Sequence, residues 1–245
     1  LASGGVRFGP ERAARITASR AAEGAVRAWL AQPEVCGAAP AQAMPGGARL
    51  FTRIAIALHA LDGLVELREA IAHRRCAAQE ATQRFNRVIA ALLSLVFEAA
   101  DVAADPAVSR LLVALFNLLQ GKEFAGQERA AGAAAFAAGT TGRAGEQGLL
   151  HLIEAQEACF ERFETFCPPD TLASWRAAQA AMPLAELERL RRKLIAAGQG
   201  TALAPALAEA WFACCSQRLD QAREVESALA TELRPTCAQR IAALQ

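Results

Sequence analysis

Tyrosine is absent from this sequence, and aromatic residues of any kind make up only 6% of it. Sheets draw their stability from aromatic and β-branched side chains packed across strands, so this shortage argues against a β-rich fold. Charge of one sign is lacking too: 26 Lys and Arg stand against 25 Asp and Glu, for a formal net charge of +1. No global field draws the chain to nucleic acid or to anionic lipid, and any positive site must be local. No apolar run reaches the roughly 20 residues that span a bilayer. The start, LASGGVRFGPER, carries no apolar core of a signal peptide. The three histidines, His59, His73 and His151, lie far apart without the spacing of paired metal ligands, so neither a metal nor a cofactor is expected. Seven cysteines, an odd number with Cys214 and Cys215 adjacent and no CxxC, form no disulfide framework. They read as reduced core thiols of a cytoplasmic protein. No GxSxG, P-loop, GxGxxG or HExxH motif occurs, and carboxylate pairs such as Glu154 and Glu157 read as solvated helix faces. With no nucleophile set beside a base, no catalytic residue is proposed, and the chain is not expected to be an enzyme.

What is present is alanine and helical periodicity. Helices are predicted over residues 10–30, 48–74, 77–103, 106–138, 146–166, 170–180, 183–197 and 205–233. Asp105 caps the fourth with Pro106 at its first position, and Asp170 caps the sixth. Pro235 ends or kinks the last. Residues 1–9 form a flexible tail, and 32–47, with three prolines and three glycines, form a long loop. No strand pattern is present. Antiparallel helices with mostly short connections, too numerous for one bundle, predict an all-α fold of two packed four-helix bundles that share long helices.

The segment Gly121–Gly139, GKEFAGQERAAGAAAFAAG, stands out. Small residues let helices approach closely, and into that surface the chain sets Lys122, Gly126 and Arg129, spaced i, i+4, i+7 on one helix face. An arginine offers a planar, permanently charged fork of donors that matches an oxyanion. Gly126 leaves room for a small ligand or a close helix. The alternative is an ordinary ion pair of Arg129 with Glu123 or Glu157. A weaker echo, Ser19-Arg20-Ala21-Ala22-Glu23-Gly24, sets Arg20 at the entry to another small-residue run. Of the basic run Arg189, Arg191, Arg192 and Lys193, Arg189 is expected to point inward, at i+5 from Leu184. Arg218 is expected to cap or to pair with Asp220 or Glu224.

Three blocks resemble the nitrate- and nitrite-sensing (NIT) domain: Leu118 to Ala130, close to that family's KE-x-AG-x-ERA pattern; Leu149 to Glu157; and Trp211-Phe212 through Arg218-Leu219-Asp220 to Val225-Glu226. The resemblance runs over residues 12–234, and residues 1–245 are read as a single sensor domain with no output domain. It implies two four-helix bundles and a regulatory sensor in signal transduction that binds nitrate or nitrite between helices. It implies Arg129, Arg20 and Arg189 as ligand-binding residues, and the shared helix face adds Lys122. It also implies a homodimer or a separate output protein as partner, with no direct nucleic-acid or membrane contact by this chain. At the first helix the family's ER-G-x-S-A run reads differently here. That difference keeps open a second reading, a helical interaction module of the same kind that binds no ligand. A third reading takes the Arg189–Lys193 run as an RNA contact; the near-neutral charge argues against it.

Overall fold

The computed structural model describes residues 9–32, 46–182 and 184–242, and every regular element among them is helical. The all-α expectation holds. The tail at 1–9 and the loop at 32–47 fall almost wholly outside the described residues. Eight helices are described: α1 Gly9–Leu30, α2 Gly47–Ala72, α3 Ala78–Val102, α4 Pro106–Ala138, α5 Arg143–Phe166, α6 Pro169–Ala180, α7 Leu184–Gly198 and α8 Ala208–Ala242, the last preceded by a 3-10 turn at Pro205–Leu207. None of the described helices is long and apolar enough to cross a membrane.

Two helix ends differ from the sequence expectation. The N-cap of α6 is Pro168, with Pro169 in its first turn. Asp170 therefore sits inside the helix, where its charge favours the positive end of the dipole. Pro235 does not stop α8, which runs on to Ala242. Beyond the proline, Arg240 Nε lies 3.3 Å from Asp105 Oδ2, an ion pair that ties the end of α8 to the start of α4. Asp105 does cap α4 as expected, accepting from the amides of Ala107 and Val108 at 2.9 and 3.0 Å.

The chain divides into two compact units, Leu1–Ala103 and Ala104–Gln245. In the first, α2 and α3 enclose a core of Leu61, Leu64, Leu67, Ala70, Cys76 and Ala81. The α1 helix has few buried residues and is fastened by charge. Arg68 of α2, itself buried, reaches Ser19 Oγ at 2.8 Å and Glu23 Oε2 at 3.3 Å. Arg27 of α1 bridges Glu23 and Asp62 at 3.1 and 2.8 Å.

In the second unit, α4, α5 and α8 are long helices that run through two cores. At one end α6 closes a cluster in which Phe160, Phe163 and Trp175 meet edge to face or tilted, with Leu118, Val225 and Leu229 around them. At the other end α7 closes a second cluster of Phe136, Leu149, Leu190, Leu194 and Trp211. The small residues of α4 set how closely its neighbours approach. A Cβ on Gly121 would stand 2.7 Å from the Phe160 ring, and one on Gly132 would run into the indole of Trp211. That indole is wholly buried and donates from Nε1 to the carbonyl of Arg129 at 2.9 Å. Gly126, which the sequence offered as room for a small ligand or for a close helix, receives no close helix: a Cβ there would meet nothing within 4 Å.

The contrast between these glycines is measurable. Gly132→Ala forces Trp211 out of its slot and is expected to lose about 1–3 kcal/mol by overpacking, in spite of alanine's better helix propensity. Gly126→Ala has no such conflict and is expected to gain up to about 1 kcal/mol. Urea unfolding of both variants checks the two signs.

Candidate functional site

The centre of the second unit is a polar cluster drawn from four helices. Glu128 of α4 is almost completely buried, as are Gln156 of α5 and Arg191 of α7. Arg191 grips Glu128 with both arms of its fork, Nε to Oε1 at 2.7 Å and Nη2 to Oε2 at 2.9 Å. Gln156 Nε2 donates to Glu128 Oε2 at 2.6 Å. Arg218 of α8 donates from Nη1 to Gln156 Oε1, lies 4.0 Å from Glu128 Oε2 and stacks over Phe160 at 5.2 Å. Helical periodicity explains the assembly. Leu187, Leu190 and Leu194 form the inward stripe of α7, and Arg191 falls on it, four residues after the first and three before the last.

The electrostatics of the two arginines differ. For Arg191, burial disfavours the charge, but the hydrogen bonds and charge of Glu128, with Glu188 at the rim, outweigh it and raise its pKa. Arg218 is lowered instead, first by burial and then by repulsion from Arg191, which the shared Glu128 only partly offsets. Cys215, one turn before Arg218, is buried among these groups. Burial, then the charge of Glu128, pushes its thiol up to about 12.

Next to Glu128 in sequence, Arg129 faces another way. It is half-buried beside α8, with Nη1 on Ser216 Oγ at 2.9 Å and its guanidinium carbon 4.8 Å from the centre of the Phe212 ring. Lys122, two turns earlier, also turns to α8 and forms an ion pair with Glu226. Its pKa is lowered, by burial first and by Arg223 second. Lys122 and Arg129, grouped on one face by the sequence, thus share α8 as a neighbour.

The other sequence candidates are placed elsewhere. Arg20 is exposed on α1, in the first unit. Arg189 does not point inward as expected; it is exposed and binds Glu186 of its own helix at 2.6 and 2.7 Å. Leu184 is itself exposed and does not mark the inward face, whereas Arg191 lies on the buried stripe of Leu187, Leu190 and Leu194. Of the partners proposed for Arg129, Glu123 accepts from Gln127 at 2.8 Å and Glu157 lies 3.9 Å from Arg191. Arg218 meets Gln156 and Glu128, not Asp220 or Glu224 as the sequence suggested. The sequence reading missed Glu128 and Arg191 as a pair. A signal was present for Arg191, which interrupts the Leu187, Leu190, Leu194 stripe; on α4 Glu128 shares the buried face with a second polar residue, Asn117. Among the described residues no group of three or more His, Cys, Asp or Glu could hold a metal ion.

A family model described as nitrate and nitrite sensing matches residues 1–234. The chain is 40% identical over 185 residues to the nitrate regulatory protein of Klebsiella oxytoca, a match over 75% of this chain and 46% of that protein. It is similar to the structure of the NasR transcription antiterminator, with a TM-score of 0.72 and 36% identity over 78% of this chain and 51% of the other. The chain spans about half the length of the relatives it matches.

Two outcomes follow from the buried cluster. Glu128→Ala strands the buried guanidinium of Arg191 and takes the shared carboxylate from Arg218, and is expected to cost about 3–5 kcal/mol, while Glu128→Leu combined with Arg191→Met costs less because only Arg218 is then left without that carboxylate. Denaturant midpoints of the single and double variants check this. With its thiol held in the protonated form, Cys215 is expected to resist iodoacetamide at pH 8 in the folded protein and to react on unfolding, as read by peptide mass spectrometry.

Proposed function

Because this chain belongs to the nitrate and nitrite sensing family, we propose that it takes up a nitrate or nitrite ion beside Arg129, between α4 and α8, and passes that event to an output domain or partner. It is a regulatory module and not an enzyme. The observation that carries the proposal is one helix face: Lys122 and Arg129 both turn to α8, and Gly126 between them has open space where a side chain would stand. Arg129 supplies a planar fork for a planar oxyanion, and the Ser216 hydroxyl beside it supplies a neutral donor. An ion held there bridges α4 to α8. A higher affinity for one packing of those helices shifts the population toward it, which is the signal.

Lys122 and Arg189 enter the reading with carboxylates already attached, Glu226 and Glu186, so either binds the ion only if that pair opens. Arg20 enters as a cation of the first unit, tested by its own variant. The reading carries with it the family's two four-helix bundles, and a homodimer or separate output protein as the receiver. The ion pairs of Lys122 and Arg189 favour one competing reading, a helical interaction module that binds no ion.

Thermal unfolding separates the two. At a hundredfold excess over Kd, a bound ion stabilises by about 2.7 kcal/mol, or about 5–10 °C for a chain of this size. Nitrate or nitrite is expected to give such a shift and chloride is not. Arg129→Ala is expected to abolish it, and Gly126→Leu to reduce it without lowering the melting temperature of the ion-free protein. Arg20→Ala, Arg189→Ala and Lys122→Ala then assign the remaining cations one by one. Absence of any shift with either ion at tens of millimolar would leave the ligand-free module as the answer.

A further inference from the structure

Away from Arg129, the outer face of α7 forms one wall of a cavity of about 460 Å³ whose other wall is the Thr201–Leu207 segment. Arg189, Arg192 and Lys193 line it at i, i+3 and i+4, the face opposite the leucine stripe. Its apolar lining comes from Ala196, Ala202, Ala204 and Leu207, with Leu203, itself buried in the core, beneath them. The wall is anchored, since the Leu203 amide donates to the carbonyl of Gly139 at the end of α4 at 2.9 Å and the Gly200 amide to Ala197 at 3.1 Å. No carboxylate and no aromatic ring lines the cavity. Arg189 is neutralised by Glu186, but Arg192 and Lys193 have no ion pair among the described residues.

We infer that this groove is a docking site for an acidic, aliphatic peptide segment of a partner protein. Three cations against the single carboxylate of Glu186, which both Arg189 and Lys193 feel, leave about two positive charges at the rim, and these call for about two negative charges. An aliphatic floor takes a Leu, Ile or Val anchor, the arrangement of an apolar centre with a polar rim that recognition surfaces use. RNA fits less well: single strands are held by stacking on aromatic rings, and none is present. The inference does not rest on ion binding at Arg129, and neither Arg192 nor Lys193 belongs to that proposed site.

The test is a phage-displayed library of random twelve-residue peptides panned on the wild-type chain, with Arg192→Glu/Lys193→Glu as counter-target. Both residues are exposed, so the variant is expected to fold, which circular dichroism verifies; Arg192→Ala/Lys193→Ala serves as a second, milder variant. Expected are enriched peptides with two or more Asp or Glu flanking an aliphatic residue. Synthesised and labelled, they bind the wild type, weaken with salt, and lose at least about tenfold in affinity on charge reversal. Failure to enrich over the counter-target, enriched peptides without acidic residues, or an affinity unchanged by both variants would overturn the inference. So would tighter binding of labelled oligouridine than of any selected peptide, lost in the same variants.

Discussion

The second unit depends on one buried ion pair. Glu128 and Arg191 meet in a fork-on-carboxylate geometry inside a core that is otherwise aliphatic and aromatic, and neither charge is affordable there alone. Gln156 and Arg218 complete the arrangement, so α4, α5, α7 and α8 all contribute a side chain to the same few ångströms. A pair that demands two specific hydrogen bonds at once fixes the rotation of α4 about its own axis. That rotation in turn decides where the next residue, Arg129, is presented.

The first unit uses the same device in a more exposed form. Arg68 is buried and finds its partners, Ser19 and Glu23, on α1. In both units the carboxylate lies near an arginine on its own helix: Glu128 directly before Arg129, Glu23 one turn after Arg20. In both, the carboxylate is used internally while the arginine turns elsewhere, Arg20 to the exposed face and Arg129 to α8. The two sequence blocks thus share one physical feature, an arginine that does not pair with the carboxylate its own helix uses internally.

Close packing along α4 follows a second constraint. Gly121 and Gly132 lie eleven residues apart, three turns of helix, and each receives an aromatic ring from a neighbouring helix, Phe160 from α5 and Trp211 from α8. Gly126, between them, receives nothing. The same residue type thus serves two purposes on one helix. Two glycines admit a partner's ring, and one leaves space beside the cations that the proposed ion would use.

Much of the fold was legible in the residues themselves. Alanine-rich periodicity without strand patterning gave the helices, Asp105-Pro106 gave the start of α4, and Gly139 its end, because these signals act over one or two turns and need no partner. The blocks around Lys122–Arg129 and Trp211–Glu226 pointed to the family for the same reason, being local patterns. Partner choice was not legible. Nothing local distinguishes Arg189 from Arg191 as the inward cation except its register against Leu187, Leu190 and Leu194, and nothing local says that Arg191 meets Glu128, 63 residues away. Of the two outcomes expected at Pro235, an end is excluded, since α8 runs on to Ala242 and Arg240 beyond the proline pairs with Asp105. The sequence by itself determined where helices form and which faces are apolar; only the tertiary structure decided which charges neutralise one another, because a salt bridge is set by distance in space and not by distance along the chain.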